Sequence, residues 1–156
     1  MLKHVLVPLD GSKLAEDAIK HALDLLGPGG KVTLVSAVDV PEVPIYGYYP
    51  PTTVPDYESA KDELLPQAKS YLESVAAGLG EMGVTIAIEA QVGEPAHVIT
   101  EFAQKFHVDA IVMSTHGRSG LSRWLFGSVT NKVLSAKPCP VYVVPSHQPQ
   151  AGEAQS

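Results

Sequence analysis

The sequence has a single cysteine, Cys139, and no long run of apolar residues. One cysteine cannot form a disulfide within the chain, and this usage is typical of proteins in a reducing compartment. No apolar segment approaches the roughly 20 residues that a membrane-spanning helix needs. The first residues run into a strand-like segment without the basic, apolar and cleavage-site order of a signal peptide. These absences predict a cytoplasmic protein with no membrane partner.

Basic residues are also scarce, since 11 Lys and Arg stand against 17 Asp and Glu and give a formal net charge of −6. General nucleic-acid binding needs a basic face that neutralises phosphates, so we expect no nucleic-acid partner. A hydrophobic content of 45% over 156 residues is typical of one folded domain with its own core. We expect this domain to span residues 1–146, followed by a polar, disordered tail over residues 147–156.

Short β-branched segments alternate with amphipathic helical segments. Ser12 is a typical helix cap, and Glu94-Pro95 opens a later helix with proline at its first position. The stretch Gly27–Gly30 (Gly-Pro-Gly-Gly) predicts the end of the first helix, and Pro66 predicts either a kink or a late start of the long middle helix. The segment 41–57, with five prolines and four tyrosines, is expected to be a loop. Strands are expected at Lys3–Leu9, Lys31–Val38, Val84–Val92, Asp109–Ser114 and Val141–Val144.

This alternation predicts a single-domain α/β fold, a five-stranded parallel sheet with helices on both faces. In such sheets ligands bind beyond the carboxyl ends of the strands, where the winding direction reverses. The strand ends that meet there should be Asp10, Ala37–Asp39 and Met113–Gly117. Val141–Val144 is too apolar for an exposed edge, so we expect a homodimer in which a second copy covers it.

The segment after the fourth strand differs in charge from the rest. Residues 111–152 hold four basic and no acidic residues, whereas residues 1–109 hold seven basic and sixteen acidic ones. Gly117 and Gly127 permit close backbone approach there, and Ser128 could cap the last helix and donate its hydroxyl to a phosphate. The positive end of that helix favours an anion by about 0.3–1 kcal/mol. The segment therefore predicts a site for a phosphorylated small molecule.

Several nearby residues allow two interpretations. Asp10 could bind a ligand or only cap the first helix, and its place at the strand end favours the ligand. His116 could contact phosphate or pack beside the loop. Arg118 and Arg123 could clamp phosphate or stay solvated. The other histidines lack the spacing of metal ligands, so no metal site is predicted in the protein. Three tyrosines could form a lid or belong to a mobile connection: Tyr46, Tyr48 and Tyr49.

The spacing of this segment resembles the nucleotide loop of the universal stress protein family. The chain reads Ser-Thr-His-Gly at 114–117, then nine residues, then Gly-Ser-Val at 127–129. ATP-binding members of that family carry Gly, two residues, Gly, nine residues, and Gly with Ser or Thr. Ser114 stands where that pattern has its first glycine. The likeness extends to Val-Leu-Val-Pro-Leu-Asp-Gly-Ser at 5–12, Val-Asp-Ala-Ile-Val-Met at 108–113 and Pro-Cys-Pro-Val-Tyr-Val-Val at 138–144.

The resemblance implies a Rossmann-like, adenine nucleotide alpha hydrolase-like fold that binds ATP, or ADP or AMP, with Mg²⁺ held through the phosphates. Asp10 matches the carboxylate that binds the ribose hydroxyls, and the backbone of Ser114 would also face the ribose. The adenine side is matched by Pro8, Leu9, Ala37 and Met113. The phosphate side is matched by Gly117, Gly127, Ser128 and Val129, with His116 and Arg118 beside it.

The same resemblance implies a nucleotide-dependent regulator or stress-tolerance factor. The sequence lacks a Walker-type Gly-Lys-Ser/Thr loop and an evident general base, so any ATP hydrolysis or autophosphorylation should be slow, and no catalytic residue is assigned. Two alternatives stay open. One is a phosphoryl- or adenylyl-transfer enzyme. The other is a dimeric interaction module that does not bind ATP, which Ser114 permits and the two glycines Gly117 and Gly127 oppose.

Overall fold

The computed structural model describes residues 1–39, 57–115 and 127–145. Its elements are β1 (Leu2–Pro8), α1 (Lys13–Leu25), β2 (Leu26–Val38), α2 (Tyr57–Leu79), β3 (Thr85–Val92), α3 (Pro95–Lys105), β4 (Ala110–Ser114), α4 (Ser128–Ala136) and β5 (Val141–Val144). The described strands form one sheet in the order β3-β2-β1-β4-β5, and every pairing is parallel. The predicted five-stranded parallel α/β fold is confirmed.

Helices cover both faces of this sheet. Within β1, Val5 and Val7 face the side of α1 and α2, whereas Leu6 faces the side of α3 and α4. All three side chains are completely buried. A parallel strand that is covered on both faces reads as a continuous apolar run instead of an alternating one. This explains why the segment predicted as a strand contains so few polar residues.

The Gly-Pro-Gly-Gly stretch belongs to β2 and not to a turn before it. Leu26 already pairs with Leu2 of β1, and the next pair along the two strands is His4 with Lys31. Five steps along β2 therefore face two along β1, and Gly29 takes a positive φ of 73° within this irregularity. The prediction that β2 begins at Lys31 was wrong because the glycines end the helix without ending the pairing with β1.

Two predicted helix starts are confirmed. Ser12 accepts a hydrogen bond from the Ala15 amide at 3.2 Å and caps α1. Glu94 caps α3, where its Oε2 accepts from the His97 amide at 3.0 Å, and Pro95 occupies the first helical position. In both cases a side-chain oxygen satisfies an amide that has no partner within the helix.

The long helix α2 starts well before Pro66, so the alternative of a late start is wrong. Proline lacks an N–H group and costs a helix one backbone hydrogen bond. Pro66 is exposed, while α2 packs along β2 and β3 on its other side. Tertiary packing of that side therefore overrides the local signal to begin later.

The strand β5 lies at one edge of the sheet and pairs with β4. Within residues 1–39, 57–115 and 127–145 no further strand covers its outer edge, and Tyr142 is 44% exposed there. The predicted tail, residues 147–156, lies outside the described residues. None of the described helices is long and apolar enough to span a membrane.

Candidate functional site

A cleft of about 570 Å³ opens at the carboxyl ends of the strands. The chain leaves β1 towards β2 and β3 on one side, whereas β4 and β5 lie on the other, so the winding reverses between β1 and β4. The cleft is at this reversal, which is where ligands bind in open parallel sheets. Its size is within the range of small-molecule pockets. Nine residues predicted for the site line it: Pro8, Leu9, Asp10, Ala37, Met113, Ser114, Gly127, Ser128 and Val129.

The turn after β1 fixes the carboxylate of Asp10. Its Oδ1 accepts the Ser12 amide at 2.9 Å and the Ser12 hydroxyl at 2.5 Å. Between them Gly11 takes a positive φ of 87°, a conformation that favours glycine. Asp10 therefore does not itself cap α1, because Ser12 does. The carboxylate is held at the rim of the cleft in a defined orientation.

The first turn of α4 faces the same cleft. Gly127 is the N-cap and has no side chain, so the prediction that Ser128 caps this helix was wrong, and Ser128 is its first residue. The Gly127 amide donates to the Thr115 carbonyl at 2.8 Å, which sets the backbone of the entry to the helix. A Cβ on Gly127 would lie 3.0 Å from that same carbonyl oxygen. The close approach of the two segments therefore favours glycine, because any other residue would force them apart by a few tenths of an ångström.

Three helices begin at this rim, and their caps differ. Ser12 caps α1 and Glu94 caps α3 with side-chain oxygens, whereas α4 has no side-chain cap. The amides of the first helical turn have no acceptor within a helix. At α4 those of Ser128 and Val129 face the cleft region without competition from a capping side chain. Among these three starts, α4 is the one suited to an external anion.

Ser114, which replaces the glycine of the family pattern, is only 8% exposed at the end of β4. Its carbonyl oxygen accepts the hydroxyl of Thr130, itself buried, at 3.2 Å. The backbone of Ser114 is thus attached to α4, and its side chain occupies a lining position of the cleft. Compared with a glycine, the Ser114 side chain leaves less space in this part of the cleft. The hydrogen bond between the end of β4 and α4 is kept.

An apolar wall closes the bottom of the cleft. Leu9 and Met113 are 3% and 5% exposed, and Pro8 and Ala37 complete the wall. The Leu9 amide donates to the Val35 carbonyl at 2.8 Å, which extends the contact of β1 with β2 up to the rim. A flat, weakly polar ring can displace water from such a wall.

The opposite wall is formed by α2 and was not predicted as part of the site. Leu64, Gln67, Ala68 and Tyr71 line the cleft at helical spacing. The Tyr71 hydroxyl donates to Glu16 Oε1 at 2.7 Å. Burial raises the pKa of Tyr71, and the hydrogen bond to Glu16 raises it further, so the phenol keeps its proton. The helical spacing of these residues was the available signal in the sequence.

Glu94 and Cys139 do not line the cleft. Burial raises the pKa of Glu94, but the amides that it caps and the Lys132 ammonium, 3.4 Å away, together hold it below its usual value. Burial raises the pKa of the Cys139 thiol, which makes this thiol a weak nucleophile. The described residues contain no group of three or more side chains that could hold a metal ion. His116, Gly117, Arg118, Arg123 and the three loop tyrosines lie outside the described residues.

Known proteins share this architecture. The profile of the universal stress protein family matches residues 1–145. The universal stress protein MJ0531 of Methanocaldococcus jannaschii is 35% identical over 145 residues, which cover 92% of this chain and 82% of that protein. MJ0577 of the same organism is 31% identical over 155 residues, which cover 92% of this chain and 95% of that protein.

Solved structures are similar to this chain over nearly its whole length. The structure of MJ0577 has a TM-score of 0.79 at 29% identity and covers 95% of this chain and 99% of its own. A universal stress protein family protein of Arabidopsis thaliana, solved with AMP bound, has a TM-score of 0.62 and covers 99% of this chain and 96% of its own. It is 18% identical, so this second likeness concerns the fold alone.

Proposed function

This chain belongs to the universal stress protein family, and on that premise we propose that its cleft binds an adenine nucleotide, ATP in the first place and ADP or AMP as smaller forms. The start of α4, which has no side-chain cap, carries the proposal. It lies at the winding reversal of the sheet and leaves first-turn amides for a phosphate, while the neighbouring starts of α1 and α3 are occupied by their own side chains.

The phosphates would bind at Gly127, Ser128 and Val129. The amides of the first turn donate hydrogen bonds to phosphate oxygens, and the helix dipole favours their charge. A glycine at the cap lets a phosphate approach the backbone, and a Cβ there would lie in tight contact with the Thr115 carbonyl. Gly117, His116 and Arg118 are proposed to complete this end. Mg²⁺ would enter with the phosphates, whose oxygens are its preferred ligands.

The sugar and the base would occupy the other half of the cleft. Asp10 is an acceptor of fixed orientation, and the two hydroxyls of a ribose are the donors that match a carboxylate. Adenine would lie against the wall of Ala37, Met113, Pro8 and Leu9, which is apolar and almost dry. The AMP-bound protein of the same fold supports this proposal, since it shows that an adenine nucleotide is compatible with the architecture.

We assign no fast catalysis to the site. In the part of the chain that the structure describes, the carboxylates that line the cleft are Asp10 and Asp39, on the β1 and β2 side and not at the α4 start. Hydrolysis at the terminal phosphate requires a group that orients a water there. A cytoplasmic regulator or stress-tolerance factor that responds to nucleotide, with slow turnover at most, fits this arrangement better than a transfer enzyme.

The homodimer is part of the proposal. The outer edge of β5 is apolar at Val141 and Val143 and presents Tyr142 to solvent. An edge of this kind tends to pair with another chain, and a second copy is the simplest partner.

Calorimetric titration of the purified protein with ATP and Mg²⁺ tests the nucleotide site. Gly127→Ala places a methyl group against the Thr115 carbonyl and should weaken ATP binding at least about tenfold, an effect of more than one kcal/mol. Gly78→Ala is the matched control, because a Cβ at that helical position meets no atom within 4 Å. Absence of heat above dilution with the unmodified protein would refute nucleotide binding and favour the interaction module.

A further inference from the structure

The α2 wall of the cleft has no assigned role, although it faces the sugar end of the site. Leu64, Gln67, Ala68 and Tyr71 line the cleft from one side of α2, and Tyr71 lies next to the rim that Asp10 and Gly11 form. In this stripe Tyr71 has the largest side chain, and it is half-buried. A rigid aromatic ring on a helix determines how much space remains in front of Asp10.

A hydrogen bond fixes the position of Tyr71. Its hydroxyl donates to Glu16 Oε1 at 2.7 Å, and Glu16 belongs to the first turn of α1, immediately after the turn that holds Asp10. The charge of Asp10 and the amide of Gly11 both act on the phenol, which places it beside that turn. The ring is therefore held from α1 and cannot swing away without losing its acceptor.

We propose that Tyr71, held by Glu16, determines which sugars the cleft accepts: a ribose with free hydroxyls fits between Asp10 and the tyrosine, and a ribose with a substituent on a hydroxyl oxygen does not. This inference rests on the proposed function, in which Asp10 accepts the ribose hydroxyls. Asp10 selects for the presence of a hydroxyl, because a carboxylate needs a donor. Tyr71 selects against bulk at the same place, because overfilling a packed space is unfavourable.

Two kinds of ATP analogue separate these effects. A 2′-deoxy or 3′-deoxy analogue loses the hydroxyl and adds no bulk. A 2′-O-methyl or 3′-O-methyl analogue loses the donor hydrogen and also adds a methyl group. The ratio of the Kd of the O-methyl analogue to that of the deoxy analogue at the same carbon therefore reports the cost of the added methoxy group, and the change of this ratio in a Tyr71 variant reports the part that is due to Tyr71. A general loss of stability would not change this ratio.

The experiment measures that ratio at both carbons by calorimetry in the unmodified protein, Tyr71→Phe and Tyr71→Ala, with Lys69→Ala on the exposed side of α2 as control. In the unmodified protein the O-methyl analogue should bind at least about fivefold more weakly than the deoxy analogue at one carbon. Tyr71→Ala should bring the two within about twofold, while Tyr71→Phe, which keeps the ring and loses the bond to Glu16, should give an intermediate ratio.

The results also separate this inference from its premise. If ATP binds and Tyr71→Ala leaves the ratio unchanged, the role of Tyr71 is refuted and the nucleotide site stands. If Tyr71→Ala does not fold, Tyr71→Phe decides, because an unchanged ratio there refutes the role of the bond to Glu16. If ATP does not bind the unmodified protein, the proposed function fails and this inference falls with it.

Discussion

The hydroxyl of Thr130 donates to the carbonyl oxygen of Ser114 over 3.2 Å and attaches the first turn of α4 to the end of β4. Both residues are buried, at 3% and 8% exposure. The bond joins the helix start that is proposed to hold phosphate with the strand end that is proposed to face the ribose. This bond therefore connects the two halves of the cleft, in addition to the bond between the Gly127 amide and the Thr115 carbonyl.

Removal of this bond should affect stability and ligand binding together. Thr130→Val keeps the shape of the side chain and should lower the free energy of unfolding by about 1–3 kcal/mol, because a buried carbonyl loses its donor. ATP affinity should fall as the α4 start loses its anchor. Denaturant unfolding and calorimetry measure the two effects. Thr130→Ser keeps the hydroxyl and should remain close to the unmodified protein; a valine variant with unchanged stability would contradict the role given to the bond.

Acid should weaken the attachment of β1 through Asp109. Its Oδ2 accepts the amides of His4, at 2.9 Å, and Lys3, at 2.8 Å, and these bonds lower its pKa. A carboxyl with a lowered folded pKa stabilises the protein above the pKa of the unfolded chain, about 4, and this contribution is lost as the pH falls through the folded value. Asp109→Asn should therefore have a lower Tm than the unmodified protein near neutral pH.

The difference in Tm between these two proteins should narrow as the pH falls below about 4 and through the lowered pKa of the folded carboxyl, because protonation then removes the charge of Asp109 as well. Thermal unfolding followed by circular dichroism at several pH values measures it. Glu94 also titrates below neutral pH, but both proteins contain it. His4 does not cancel in this way, because the charge of Asp109 raises the pKa of His4 and Asp109→Asn removes this contribution. A Tm difference that stays constant with pH would contradict the assignment to the charge of Asp109.

Lys137 offers a stabilising substitution. It ends α4 with a left-handed backbone, at φ 49° and ψ 50°, and is exposed. A side chain disfavours this conformation, so Lys137→Gly should raise the free energy of unfolding by about 0.5–1 kcal/mol. Lys137→Ala removes the same charge but keeps a Cβ and should bring no such gain. Denaturant titration compares the two variants, and equal gains would show that the charge and not the backbone is responsible.

The β5 edge predicts the behaviour of Tyr142. In a symmetric dimer each copy contributes the same strand, β5. A charge added to β5 therefore lies near the identical charge of the other copy, and the two repel each other. Tyr142→Asp should convert a dimer into a monomer in light scattering, whereas Tyr142→Phe should leave the dimer intact. A monomeric unmodified protein would refute the dimer itself.

Local sequence signals predicted much of the architecture. Ser12 and Glu94-Pro95 mark helix starts through their own side chains, and the apolar segments mark the strands. Asp10, Ala37 and Met113 could be grouped from their positions in the chain alone, because the ends of parallel strands meet at one rim. No long-range information was needed for these features.

The remaining features depend on contacts between distant segments. β2 begins at Leu26 because Leu2 pairs with it, which no local signal shows. Gly127 is the N-cap of α4 and carries no capping side chain to recognise, and the position of its backbone depends on the contact of its amide with the distant Thr115 carbonyl. Tyr71 packs against the core and also lines the cleft, and this second contact depends on how α2 docks on the sheet.

The hydroxyl of Ser12 has two hydrogen bonds, since it donates to Asp10 at 2.5 Å and accepts from Ala15 at 3.2 Å. Fraying of α1 at its first turn therefore also weakens one of the two hydrogen bonds by which Ser12 holds the carboxylate at the rim. A ligand that binds only when the Asp10 carboxylate has this orientation also stabilises the folded first turn of α1, because the two equilibria are thermodynamically linked. Bound nucleotide should then slow hydrogen exchange at the Ala15 amide, although no atom of the ligand needs to reach it.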